Sequence, residues 1–259
     1  MAMVVEPVRR SVPAAPDRFY VRMAQICFAI AVIGFAPTYW IPLVRGSLHL
    51  APIAHLHAMF FYGWLMLFVW QSELAASGRL KNHRRWGLSG IAVATGMCFV
   101  GVGMTMNSLK DGLAAGIETA RPFSIVSFTA IALFAGLFAI AIRYARDREV
   151  HQRLMLVATA SLLQAAAGRV FLFFLAPPRP PGLVGAVAPP PVGVSVLPGL
   201  LVDLLFVAGM IHDRRTRGRV HRVYWIAGAA VVAVQVLRVP VSATAAWAHV
   251  TNWLLAMAP

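Results

Sequence analysis

Residues 52–87, PIAHLHAMFFYGWLMLFVWQSELAASGRLKNHRRWG, decide the fold. From Pro52 to Ala76 the segment is almost wholly apolar, long enough for an α-helix to cross ~30 Å of hydrocarbon at ~1.5 Å per residue. Arg79, Lys81, Arg84 and Arg85 follow as a basic loop, and a second apolar run begins at Trp86. This is one crossing, one loop and the entry to the next crossing, and the rest of the chain repeats it.

The composition agrees. The 259 residues are 59% hydrophobic and 12% charged, with mean hydropathy +0.73. A soluble domain is ~45–50% apolar, so the excess must face lipid. The apolar runs are continuous and do not alternate with period two, which excludes a barrel and points to a single all-α polytopic bundle. The net charge of +14 sits mainly in three loops and the N-terminal tail. That is the distribution of loops retained in the cytoplasm, and it argues against nucleic acid as a partner. Cys27 and Cys98 fall inside apolar runs without metal-type spacing, so neither a disulfide nor a metal site is expected.

In order, residues 1–18 read as a disordered cytoplasmic tail and not a cleaved signal, followed by a single transmembrane domain over 19–259. The crossings are expected at Phe19 to Leu43, Pro52 to Ala76, Trp86 to Met106, Phe123 to Ala141, Leu154 to Ala176, Pro198 to Ile211 and Val223 to Val250, the last with a kink at Pro240. Residues 177–198 hold eight prolines and form an outer loop. Seven crossings place the N-terminus inside and the C-terminus outside, in a bacterial inner membrane. Residues 251–259 either finish the last helix or lie along the outer interface.

The inner loops share a pattern. His83, His151 and His221 each stand beside arginine at the start of an outward helix, at intervals of roughly 70 residues, as in three hairpin repeats after a lone first helix. His151, Gln164 and Arg169 are matched at similar spacing by His221, Gln235 and Arg238.

Ionisable groups within a membrane cost about 2.5–3.5 kcal/mol on insertion scales and usually mark function. Arg169, Asp203 and Arg238 are such groups, roughly 10 Å below the outer ends of their helices. His55 and His57 lie near the same level. His57, Trp64 and Gln71 share one helical stripe, and Gln235, Arg238, Ser242 and His249 share another. His55 and His57 are about 200° apart, a weak arrangement for chelating one ion. Two readings stand. Asp203 ties to an arginine as a structural pair, or His57, Gln164, Arg169, Asp203, Gln235 and Arg238 line a pocket whose net positive charge suits a small anionic or quinone-like ligand. Glu73 is expected in an ion pair beside the basic loops. The eight histidines divide between the two faces, so a b-type haem carrier is a further reading, with His55 and His249 as candidate ligands.

The run His55-Leu56-His57, Phe60, Phe61, Trp64, Gln71, Asn82-His83-Arg84-Arg85-Trp86-Gly87, with Asp203 and Arg217-Gly218-Arg219-Val220-His221, resembles a widespread group of uncharacterised bacterial inner-membrane proteins. The resemblance implies the same bundle and no particular activity. A looser similarity to transmembrane b-type cytochromes and haem A synthase rests on histidines near helix ends, but helix four here has no histidine. A third reading is a structural subunit with membrane-protein partners. The sequence holds no nucleophile with a base at usable spacing, no phosphate loop and no zincin motif, so no enzyme class is assigned.

Overall fold

The computed structural model describes residues 17–175 and 188–257; residues 1–16 of the expected 1–18 tail, most of the proline-rich loop and residues 258–259 lie outside them. Among the described residues the chain is helical and has no strand. Seven segments among the described residues are long and apolar enough to cross a membrane.

The first crossing, Phe19–Val44, is α1 (Phe19–Phe35), a π-turn at Ala36–Trp40 containing Pro37, and α2 (Ile41–Val44). Then come α3 (Pro52–Ala76), α4 (Leu80–Ala114), α5 (Ala120–Arg143), α6 (Arg148–Leu162), α7 (Gln164–Leu175), α8 (Val196–Arg217), α9 (Arg222–Ser242) and α10 (Ala245–Met257). Pro52 opens α3 where its missing N–H costs nothing.

Several helices are longer than the apolar runs that announce them. Gly78, at φ +73°, ends α3 in a left-handed turn that an L side chain rarely adopts, so α4 restarts at Leu80. Lys81 to Arg85 are therefore its first turns and not a loop. Asp147 caps α6 by accepting from the backbone N–H of Glu149 (3.0 Å) and Val150 (3.1 Å), which places His151 and Arg153 on the helix. A 3-10 turn over Val192–Ser195 leads into α8, which continues through Ile211 to Arg217.

The fifth crossing is broken at Leu163. Ser161 Oγ donates to the Ala158 carbonyl at 2.8 Å, and the Leu163 N–H turns to Ala160, three residues back. Such back-bonding bends helices without a proline or glycine. The last crossing stops at Ser242, shortly after Pro240, and does not run to Val250. Thr244 Oγ1 then accepts from the Trp247 N–H at 3.2 Å and starts α10. Arg121, in the first turn of α5, fixes α10 by donating to Thr251 Oγ1 (2.7 Å) and Asn252 Oδ1 (2.6 Å).

Packing follows lipid rules. Phe99, Leu88 and Ile226 are 76%, 71% and 69% exposed, side chains that only hydrocarbon would accept at that frequency. The enclosed centre is α6, where Leu156, Val157, Ala158 and Ala160 have no exposure. Trp64 closes the α3–α5 seam, meeting Phe134 and Phe138 edge-on at 5.1 and 5.4 Å. Small residues let helices touch: a Cβ on Gly34 would lie 2.5 Å from the Ala166 carbonyl oxygen, so α1 and α7 pack backbone to backbone.

Candidate functional site

Four of the six expected pocket residues meet. Gln235 and Arg238 stand three residues apart on one face of α9. Arg238 Nη1 donates to Gln164 Oε1 at 2.8 Å, and Nη2 donates to Ser195 Oγ at 2.9 Å and the Ser195 carbonyl at 3.1 Å. Gln235 Nε2 donates to Asp203 Oδ1 at 3.3 Å. All four side chains are buried, Arg238 and Gln235 to 2% exposure.

Local irregularity builds this cluster. Gln164 is the first residue of α7, at the break after Leu163, and Ser195 ends the 3-10 turn before α8. Gly199 leaves room for Gln235, because a Cβ there would come within 2.9–3.1 Å of the carboxamide. Arg238 and Asp203 form no ion pair within 4 Å; the carboxylate's side-chain donor is Gln235. Three buried atoms here lack a partner among the described residues: Arg238 Nε, Gln235 Oε1 and Asp203 Oδ2. Each such atom costs about 1–3 kcal/mol when left unpaired.

Arg169 and His57 are not hydrogen-bonded to this cluster. Arg169 lies over the Phe35 ring at 4.2 Å from its centroid and donates to the Ala165 carbonyl at 3.1 Å. It has no carboxylate partner among the described residues. The His57 ring packs on Phe61 at 4.2 Å, with its buried Nδ1 unpartnered. His55 faces the other way and meets Tyr39 Oη through Nδ1 at 3.1 Å, as the angular spacing requires. His249 is exposed on α10.

A second polar centre, at the basic end, was not read from the sequence. Arg153 Nε donates to Asp213 Oδ2 at 2.8 Å, and Nη2 donates to Oδ1. The two side chains are 1% and 0% exposed. Arg153 Nη1 also donates to Glu149 Oε2 at 2.8 Å, and Arg217 pairs with the same carboxylate. The guanidinium lies 5.8 Å from the Tyr224 ring centroid, and Tyr224 Oη meets Tyr20 Oη at 3.2 Å. Glu149/Arg153 and Asp213/Arg217 are i, i+4 pairs, the one signal that could have found them. Glu73 accepts from Arg18 at 2.5 Å, the ion pair expected of it.

The repeated histidines have repeated partners. His83 Nδ1 donates to the Gln71 carbonyl at 3.2 Å and His151 Nδ1 to the Ala141 carbonyl at 2.8 Å, each tying an outward helix to the one before it. A carbonyl only accepts, so both rings carry a proton on Nδ1, and in a neutral ring Nε2 is then the lone pair. The rings stand 6.3 Å apart, perpendicular. His221 is used differently. Its Nδ1 accepts from the Val223 N–H at 3.3 Å, capping α9, and its own backbone N–H donates to Asp213 Oδ2 at 3.1 Å.

Among the described residues no group of three or more His, Cys, Asp or Glu is placed to hold a metal ion. The chain matches no family model, no curated protein and no solved structure.

Proposed function

We propose that this multi-pass membrane protein binds a small ligand in the polar cluster of α7, α8 and α9, and that the ligand is quinone-like in preference to anionic. The observation that carries the reading is the coincidence of three unpartnered atoms, Arg238 Nε, Gln235 Oε1 and Asp203 Oδ2, in one buried cluster. Arg238 offers a donor and Gln235 an acceptor, the pairing that a carbonyl and a hydroxyl on one ring would satisfy. With Asp203 ionised, its charge balances Arg238, which removes the advantage an anion would otherwise gain. Arg169, with no carboxylate, supplies the remaining positive field on the α1 side of α7 and suits an anionic substituent. On this reading the basic loops lie in the cytoplasm, the cluster lies in the outer half of a bacterial inner membrane, and the resemblance to the H-x-H group extends to the pocket.

The test is titration of the purified protein with a short-chain quinol, whose hydroxyls both accept from Arg238 Nε and donate to Gln235 Oε1. Arg238→Gln and Gln235→Leu each weaken binding by about tenfold or more, the loss of a buried hydrogen bond, while membrane insertion is kept. Unchanged affinity in both variants refutes the site.

A second reading, a b-type haem carrier, is favoured by a different observation. The His83 and His151 rings stand edge to face 6.3 Å apart, each with Nδ1 held by a backbone carbonyl, so that the neutral rings keep Nε2 free for ligation. His55, engaged by Tyr39, and His249, exposed on α10, fit a shared ligand less well. Protein produced with ample haem and lacking a Soret band rules this reading out.

A further inference from the structure

The basic end of the bundle carries a cavity of about 410 Å³ lined by Arg219, Val220, His221 and Arg222, in the short link between α8 and α9. We propose that this cavity is a phosphate-ester site, and that it holds the headgroup of an anionic phospholipid at the basic face of the membrane.

Basic loops are common on one side of membrane proteins, and that rule alone would explain the charges. It does not explain how they are distributed here. Arg214 is tied to the Gly218 carbonyl, and Arg217 to Glu149. Arg219 and Arg222 have no partner among the described residues, and both are exposed beside the cavity. Between them stands His221, whose Nδ1 accepts from the Val223 N–H. In the neutral ring the proton must then be on Nε2, so the third polar side chain is also a donor. Burial and the charge of Arg153 hold His221 below its ordinary pKa of 6.5, which keeps that tautomer at neutral pH.

Two guanidinium groups and one N–H donor, with no acidic side chain among the described residues of the lining, form a donor-rich site. A ligand there must be an acceptor on several sides and negatively charged. A phosphate ester meets both conditions, and guanidinium binds it through paired hydrogen bonds. The location selects the source, because basic pockets at a membrane surface collect anionic headgroups. Trp225 is 61% exposed just beyond, in the position of an aromatic anchor at the boundary.

The detergent-solubilised full chain is titrated with short-chain phosphatidylglycerol, short-chain phosphatidylcholine and inorganic phosphate, and lipid adducts are counted by native mass spectrometry. Saturable binding of phosphatidylglycerol is expected, lowered about tenfold in R219A/R222A by loss of the charge-assisted bonds. His221→Asn keeps an acceptor to cap α9 and removes the Nε2 donor, so it weakens binding without unfolding the helix. R84A/R85A removes the same charge from another basic segment and leaves binding unchanged. Equal loss in the two double variants means diffuse attraction and overturns the proposal, as does equal binding of phosphatidylcholine. Competition by inorganic phosphate at comparable concentration assigns the pocket to free phosphate and overturns the lipid as its occupant. The wild-type titration alone decides the matter if a variant fails to fold.

Discussion

Arg153 and Asp213 form a two-point ion pair, Nε to Oδ2 at 2.8 Å and Nη2 to Oδ1, between side chains that are 1% and 0% exposed. They join α6 to α8 at the basic end of the bundle. Removing one partner leaves the other charge buried, so Arg153→Ala or Asp213→Ala is expected to cost about 3–5 kcal/mol. Arg153→Met with Asp213→Leu should recover most of that. Thermal unfolding in detergent measures both, and a double variant as unstable as the singles would show that the pair contributes more than mutual neutralisation.

Gly199→Ala tests the polar cluster without touching a polar atom. The added Cβ would lie 2.9–3.1 Å from the Gln235 carboxamide, which must move and loosen its bond to Asp203. Overpacking of this kind costs about 1–3 kcal/mol. Quinol affinity should fall more than thermal stability does; intact binding in a folded Gly199→Ala protein would separate Gln235 from the ligand.

His221 makes stability depend on pH in a defined direction. Its folded pKa is lowered from 6.5, chiefly by burial and then by Arg153, against the opposing pull of Asp213, Glu149 and Asp147. Below pH 6.5 the unfolded chain takes up a proton that the folded chain resists, so stability is full above 6.5 and falls as pH drops toward the lower folded value. Protonation also turns Nδ1 into a donor and removes the cap on Val223. The melting temperature followed from pH 7.5 to about 5 should fall more steeply in the wild type than in His221→Asn. Parallel curves would assign the pH response to other groups.

Arg121→Ala should release α10. Two charge-assisted bonds to Thr251 and Asn252 are lost, each worth about 1.5–3 kcal/mol. Amide hydrogen exchange should rise across Ala245–Met257 while α6 stays protected. Uniform exchange across both would mean that α10 opens only with the whole bundle.

The crossings were legible because ~20 apolar residues between basic loops have few other uses. Their ends were less so. Hydropathy stops at the first arginine, but the helix does not: Lys81 to Arg85 and Arg148 to Arg153 continue α4 and α6 past the hydrocarbon edge. The Asp147 cap was visible in the sequence and outweighed by the charge around it. Depth set Asp203 level with Arg238, helical angle set Gln235 beside Arg238, and Gln164 entered through its match to Gln235 in the repeat. The separation of Arg169 was not legible, because depth carries no information about which side of α7 a residue faces. Arg153 read as a loop charge and Asp213 as a last-turn extension of the helix before the third basic loop; their pairing was hidden because nothing local states that segments 60 residues apart will enclose each other.

The histidine ties at the basic end also bear on how the protein is made. His83 reaches a carbonyl 12 residues back, and His151 one 10 residues back. Each hairpin can therefore fasten as soon as its second helix enters the bilayer. Asp213 stands 60 residues after Arg153, so their ion pair joins one hairpin to a later crossing, whereas each histidine tie is complete within its own hairpin.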